Sequence, residues 1–149
     1  MTLGDTLKED MKTALRAGDK LVLGALRLAI AAVKRQEIDT RTTLSDDAIL
    51  GVLQKLIKQG RDSQQQFEAA GRADLATKEA GEIAVFERYL PQALSQDEIG
   101  ALIREAIAAS GASGVKDMGK VMAAIKGKAA GRVDMAAISG QVREILSAI

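Results

Sequence analysis

The sequence predicts an all-α protein in two parts. An N-terminal helical domain of about four helices with a projecting hairpin takes residues 1–90, and a small C-terminal three-helix bundle takes residues 91–149. Three observations carry this. Apolar residues recur three or four positions apart along nearly the whole chain, no stretch alternates as a half-buried strand does, and the single proline, Pro91, stands between a helix-spaced segment and a fresh cap. A proline cannot continue the helix before it and biases its neighbour towards extended backbone, so the domain boundary is expected there.

Leu3, Leu7, Met11 and Leu15 step by four and predict a short first helix that Gly18 ends. "DKLVLGALRLAIAAVKRQEI" is apolar around most of its circumference, with polar relief at Gly24 and Arg27, which predicts a central, buried helix. After the turn-rich "DTRTTLSDD", Ser45 is placed to cap a third helix, with Asp46 and Asp47 near the positive end of its dipole. That helix runs through Ile49, Leu53, Leu56 and Ile57. Its continuation is largely polar, so two long helices joined near Gly71 and Arg72 are expected to project beyond the core over residues 58–82. Helices without an apolar partner face gain little from packing, which makes this hairpin the least self-supporting region. Leu75, Ile83, Phe86 and Leu90 bring the fourth helix back.

Beyond Pro91, Ser95 and Glu98 have the spacing of a capping box, and Leu94 with Ile99 that of a hydrophobic staple. The helix they start is expected to bury Ile99, Leu102, Ile103, Ala106 and Ile107. "GASGV" is a linker. Met118, Val121, Met122, Ile125 and Ala129 then form one apolar stripe. Met135, Ile138, Val142, Ile145, Leu146 and Ile149 form another behind an Asp134 cap and a Val133 to Ile138 staple. A bundle of this size is expected to be marginally stable by itself.

Composition narrows the chemistry. With 47% hydrophobic and 28% charged residues the chain lies in the globular class. It has no Cys and no His, which removes disulfides, thiolate and imidazole nucleophile systems and the usual zinc sites. No metal, no cofactor and no membrane partner are expected. The first residues mix acids into "MTLGDTLKEDMKTAL" rather than forming a basic-then-apolar signal, which predicts a cytoplasmic protein.

Net charge is only +1, so affinity for a polyanion must come from clustering. Residues 116–132 carry five bases against Asp117 alone. Gly127 and Lys128 are not a phosphate loop, because Met122 stands where the first glycine of that motif belongs and Ala129 where its hydroxyl belongs. "GASG" at 111–114 fits the GXXG of a KH loop, but without the sheet that loop needs. Asp46–Asp47 and Asp97–Glu98 sit in first turns, where the helix dipole explains them without acid/base chemistry.

On the sixth helix the apolar stripe faces inward, which puts Lys116 and Lys120 on the opposite side and Lys126 and Lys128 on the flanks, with Gly119, Ala123 and Gly127 stacked between them at four-residue spacing. Two interior glycines cost about 1 kcal/mol each relative to alanine. Close approach of another backbone would offset them. Either a neighbouring helix of the same bundle supplies it and the lysines are merely solvated, or a sugar-phosphate backbone does, positioned by Lys116, Lys120, Lys126, Lys128 and Arg132. The two Phe and one Tyr all precede Pro91, so stacking platforms for splayed bases are missing from the C-terminal part, and an RNA ligand should be folded and recognised by shape.

"KDMGKVM" (116–122), "GRVD" (131–134) and "REIL" (143–146), with "LKEDMKTALRAGDK" and "KQGRDSQQQFEAAGRADLATKEAGEIAVFERYLP", resemble the YqeY family over essentially the whole chain. The C-terminal part is also similar to the tail of the B subunit of the glutamine-dependent aspartyl/glutamyl-tRNA amidotransferase, through Gly119, Lys120, Val121 and Met122 and through Gly131, Arg132, Val133 and Asp134. Members also occur as appendages to some glutaminyl-tRNA synthetases. The resemblance implies a C-terminal bundle that contacts tRNA outside the anticodon, near its elbow, with a glutaminyl-tRNA synthetase or tRNA amidotransferase as a further partner. Family labels mention carbon–nitrogen ligase activity with glutamine as amido-N donor. In the amidotransferase that chemistry belongs to other domains, and no residue here supplies it, so a non-catalytic protein is expected. The resemblance further implies a basic hairpin, and Gly60 stands where another Arg is expected.

Overall fold

Capped, helix-spaced segments become seven α-helices and one 3-10 turn, with no strand, in a computed structural model that describes residues 1–149. They are α1 (Leu3–Ala17), α2 (Lys20–Thr40), α3 (Asp46–Ala69), α4 (Ala73–Glu87), α5 (Gln96–Ser110), the turn Val115–Asp117, α6 (Met118–Ala129) and α7 (Met135–Ser147). The chain divides into two compact units, Met1–Leu90 and Pro91–Ile149. Each has its own apolar cluster.

In the first unit α1 starts on a reciprocal cap, Thr2 Oγ1 accepting from Asp5 N–H while the Asp5 carboxylate accepts from Thr2 N–H. Asp46 Oδ1 accepts from Leu3 N–H at 3.0 Å, so this carboxylate serves the start of α1 from the first turn of α3. The helix ends at Gly18 in the left-handed region, φ 69°. The expected stripe is corrected at its end: Ala14 is buried and Leu15 is 59% exposed. At about 100° per residue, a step of four drifts forward by about 40° each time, so the third step leaves the core face.

α2 is corrected too. It buries Ala25, Leu26, Ala29 and Val33, but Leu21, Leu28 and Ile38 are exposed. It is a wall of this unit, with one apolar face outside.

α3 and α4 form the hairpin, joined through Gly71 at φ 73° with Arg72 as the residue before α4. Near its base the two helices are in close contact. Gly60 is buried, and a Cβ there would lie 3.0 Å from Ile83 Cγ1. Between Arg61 and Leu75 no residue is buried, with Phe67 and Leu75 half-buried. The expected arginine at position 60 has no space here, because the position belongs to the α3–α4 contact.

Tyr89, just past α4, donates its hydroxyl to Asp10 Oδ2 on α1 at 2.6 Å. Burial pushes this phenol well above the ordinary tyrosine value, and the bond to Asp10 adds to the shift. The folded chain thus holds the proton more tightly than the unfolded one. As pH rises past about 10 the unfolded chain releases it and the folded chain does not, so stability falls with rising pH. Tyr89 is the sole tyrosine and there is no tryptophan, so tyrosinate absorbance reads this group alone. Its midpoint is expected well above that of the denatured chain, and Tyr89→Phe should flatten the alkaline loss of stability. Identical midpoints in the two states would remove the clasp.

In the second unit the Ser95–Glu98 box forms as the spacing predicts. α5 ends at Gly111, φ 67°, and Asp134 Oδ1 accepts from Ala136 N–H to cap α7. Ile103, Ala106, Val121, Ile125, Ala129, Val133, Ile138, Val142 and Leu146 make the core. Ile149 falls outside it, 65% exposed, because α7 stops at Ser147.

Candidate nucleic-acid interface

α6 is short, and its two faces differ sharply. Val121, Ile125 and Ala129 are buried, with Met118 and Met122 partly so. Placed at about 100° per residue, Gly119, Ala123 and Gly127 run up the opposite side, and all three are exposed. A Cβ added at Gly119 or Gly127 would meet nothing within 4 Å. Neither α5 nor α7 covers this ridge, so packing within the bundle does not offset the glycines.

The five predicted cations are not equivalent. Lys120 flanks the ridge on one side and Lys126 on the other, both exposed. The Lys120 ammonium is 4.0 Å from Asp117 Oδ1, and Lys126 makes no ion pair. Lys116 lies in the 3-10 turn before α6 rather than on the helix itself. Lys128 points the other way, towards α5, its Nζ donating to Glu105 Oε1 at 2.7 Å. Arg132 is half-buried and donates from Nε to the Gln92 carbonyl at 3.0 Å, while its own carbonyl accepts from Leu94 N–H. Arg132 thereby fastens the α6–α7 turn to the segment that precedes α5.

Two carboxylates shape this field. Asp117 accepts from Ser113 N–H at 3.0 Å and from the Ser113 hydroxyl. Those bonds, with Lys120 and Lys116 nearby, hold its carboxyl below the usual range. Glu105 is held low by the Lys128 ammonium, so its charge persists below the ordinary carboxylate pKa and is lost only as pH falls through the lowered value. The Asp117–Lys120 pair was legible from its three-residue spacing. Nothing in the sequence marks Glu105 as the partner of Lys128, or Gln92 as that of Arg132. No cluster of three or more carboxylates is placed to hold a metal ion, and no helix is long and apolar enough to cross a membrane.

The YqeY family, described as Yqey-like protein, matches residues 4–146. The chain belongs to the YqeY family. Among curated relatives, Altered inheritance of mitochondria protein 41, mitochondrial, of Pyrenophora tritici-repentis is 29% identical over 95% of this chain and 80% of its own length. The proteins of the same name from Kluyveromyces lactis and Saccharomyces cerevisiae (strain YJM789) are 39% and 36% identical, over 65% and 58% of this chain. The matches span 54% and 47% of those two proteins, about half of each. Neither the YqeY description nor these names carries a catalytic activity.

The expected cytoplasmic placement is corrected by these relatives, which are named as mitochondrial proteins. The inference rested on the acids among the first residues, and these serve the helix they belong to, Asp5 completing the cap of α1, rather than reporting a compartment.

Proposed function

We propose that this YqeY protein is a non-catalytic tRNA-binding adaptor whose contact surface is the open back of α6. The observation that carries the reading is the pair of exposed ammonium groups, Lys120 and the unpaired Lys126, on either side of a bare ridge of Gly119, Ala123 and Gly127. Gly119 is the second residue of α6 and Gly127 the third from its end, so each costs less than the about 1 kcal/mol of a mid-helix glycine. Lys120 and Lys126 flank the ridge and Lys116 stands at its head, so a phosphate run along it meets ammonium groups on both sides. Lys128 is engaged by Glu105, while Arg132 is held through Nε by the Gln92 carbonyl and can meet a phosphate through its other guanidinium N–H groups. The recognition is of backbone shape and charge, since no aromatic side chain lies in this unit. The likeness of the C-terminal segment to the amidotransferase tail supports tRNA as the folded RNA, and a glutaminyl-tRNA synthetase or tRNA amidotransferase as its protein context.

The test is binding of total tRNA at two salt concentrations. Lys120→Ala with Lys126→Ala should weaken binding and reduce the salt slope by about two charges. An unchanged slope would refute the assignment. Gly119→Ala and Gly127→Ala, read by thermal unfolding, should each stabilise the second unit, by less than about 1 kcal/mol because both lie in terminal turns where the added methyl meets nothing. Leucine at the same two positions should leave the fold intact and block tRNA.

The second reading is a helical protein-interaction module without RNA binding, in which the same ridge receives a partner helix. The exposed small residues favour it equally, and salt dependence separates the two: a helix partner gives a shallow slope and a tRNA partner a steep one.

A further inference from the structure

One face of α2 is exposed and, beyond Leu21, has no partner in this unit. Leu21, Gly24, Leu28, Ala31, Arg35 and Ile38 step alternately by three and four, the spacing of a heptad seam. All six are exposed, Leu28 at 51% and Ile38 at 66%. The core of this unit uses the other side of the helix, Ala25, Leu26, Ala29 and Val33. The seam is braced at its start, because Leu21 lies across α4: a Cβ at Gly81 would come within 2.8 Å of Leu21 Cδ2. Large and small residues alternate along it as far as Arg35, and a Cβ at Gly24 would meet nothing. The small positions are holes of the kind a side-chain knob fills.

The charges beside the seam are one-sided. Lys20, Arg27 and Lys34 recur every seven residues along one flank, exposed and in no ion pair. The other flank turns into the core at Ala25 and Ala32, and only Asp39 on it is exposed.

We propose that this face of α2 docks an amphipathic helix of another protein, one with an apolar seam and acidic residues on the flank that meets Lys20, Arg27 and Lys34. A second copy of this chain is the poorer occupant. Antiparallel pairing sets the three cations against their own counterparts, and parallel pairing stacks Arg35 on Arg35 in the seam with only Asp39 opposite the basic flank. An anionic lipid surface suits it less well, since Gly24 and Ala31 add little apolar area where a membrane-lying helix needs a continuous large-residue face. The surface belongs to the first unit and shares no residue with α6, so it stands or falls apart from the RNA proposal.

The probe is a fluorescein-labelled synthetic peptide of about three heptads with Leu at the seam positions and Glu on both flanks, whose like charges keep it from self-pairing. Its anisotropy is measured against the full chain. Saturable binding is expected, weakened at least about tenfold by Leu28→Gln, by Arg27→Glu with Lys34→Glu, and by raised salt. The variants are at exposed positions and should keep the parent's helical circular dichroism. The same peptide with Lys for Glu should not bind. Equal binding of the two peptides, indifference to Leu28→Gln, a dimer of the chain that Leu28→Gln dissociates, or binding to phosphatidylglycerol vesicles in place of the peptide would each overturn the proposal.

Discussion

Ile125→Ala is expected to unfold the second unit while the first stays folded. Ile125 is fully buried, at 0% exposure, in the middle of α6 and within the cluster of Ile103, Val121, Ile138, Val142 and Leu146. Removing a buried Ile side chain costs about 2–5 kcal/mol, part for lost burial and part for the cavity. A single small core without disulfide or metal rarely supplies more than about 3–5 kcal/mol in total, so one truncation consumes most of the stability of Pro91–Ile149. The apolar cluster of the first unit contains no residue of the second. Helical circular dichroism should therefore drop by the share of α5, α6 and α7, and hydrogen exchange should lose protection after Pro91 alone. Loss of protection throughout the chain would mean that the two cores are one cooperative system.

The second large effect is at the base of the hairpin. Gly60→Leu places a branched side chain where a Cβ already comes to 3.0 Å from Ile83 Cγ1, 3.3 Å from Ile83 Cδ1 and 3.5 Å from Glu79 Oε2. Ile83 is 7% exposed and locked in the cluster with Ile57, Val85 and Phe86, so it cannot swing aside. α3 and α4 must separate, at about 1–3 kcal/mol. The companion Ile83→Ala removes the obstructing atoms and opens volume for the leucine. The double variant should recover part of the loss, and a thermal-denaturation cycle should show favourable coupling between the two sites. Additive losses would place the strain elsewhere.

The helices were legible because their signals are local. Ser45, Ser95 and Asp134 cap where their spacing to the next backbone N–H groups requires, and Gly18 and Gly111 end their helices in the left-handed region that favours glycine. The inward stripe of α6 was legible for the same reason. Misreadings arose where periodicity had to stand in for a neighbour. A step of four placed Leu15 in the core, and an apolar circumference placed all of α2 there, although a helix buries only the arc that other helices reach. The reciprocal cap of Thr2 and Asp5 was within reach of sequence spacing and was missed, since its third-position acid is an Asp rather than the Glu or Gln of the usual box.

At the candidate interface the residue types were readable and their assignments were not. That Gly119, Ala123 and Gly127 share one side of a helix follows from about 3.6 residues per turn. Whether that side is covered depends on where α5 and α7 lie, which no local pattern states. Lys120 and Lys126 stay by the ridge, while Lys128 is drawn to a glutamate on α5 and Arg132 to a carbonyl before it.

The sequence alone determined the helical class, the caps, the break at Pro91 and the clustering of bases after position 115, because each is set by groups within about a turn of one another. Only the tertiary structure decided which apolar residues of α2 remain outside, that Gly60 seats Ile83, and which of five cations stay by the bare ridge. Those outcomes depend on the approach of segments distant in the chain, where side-chain volume and charge meet partners that no local spacing encodes.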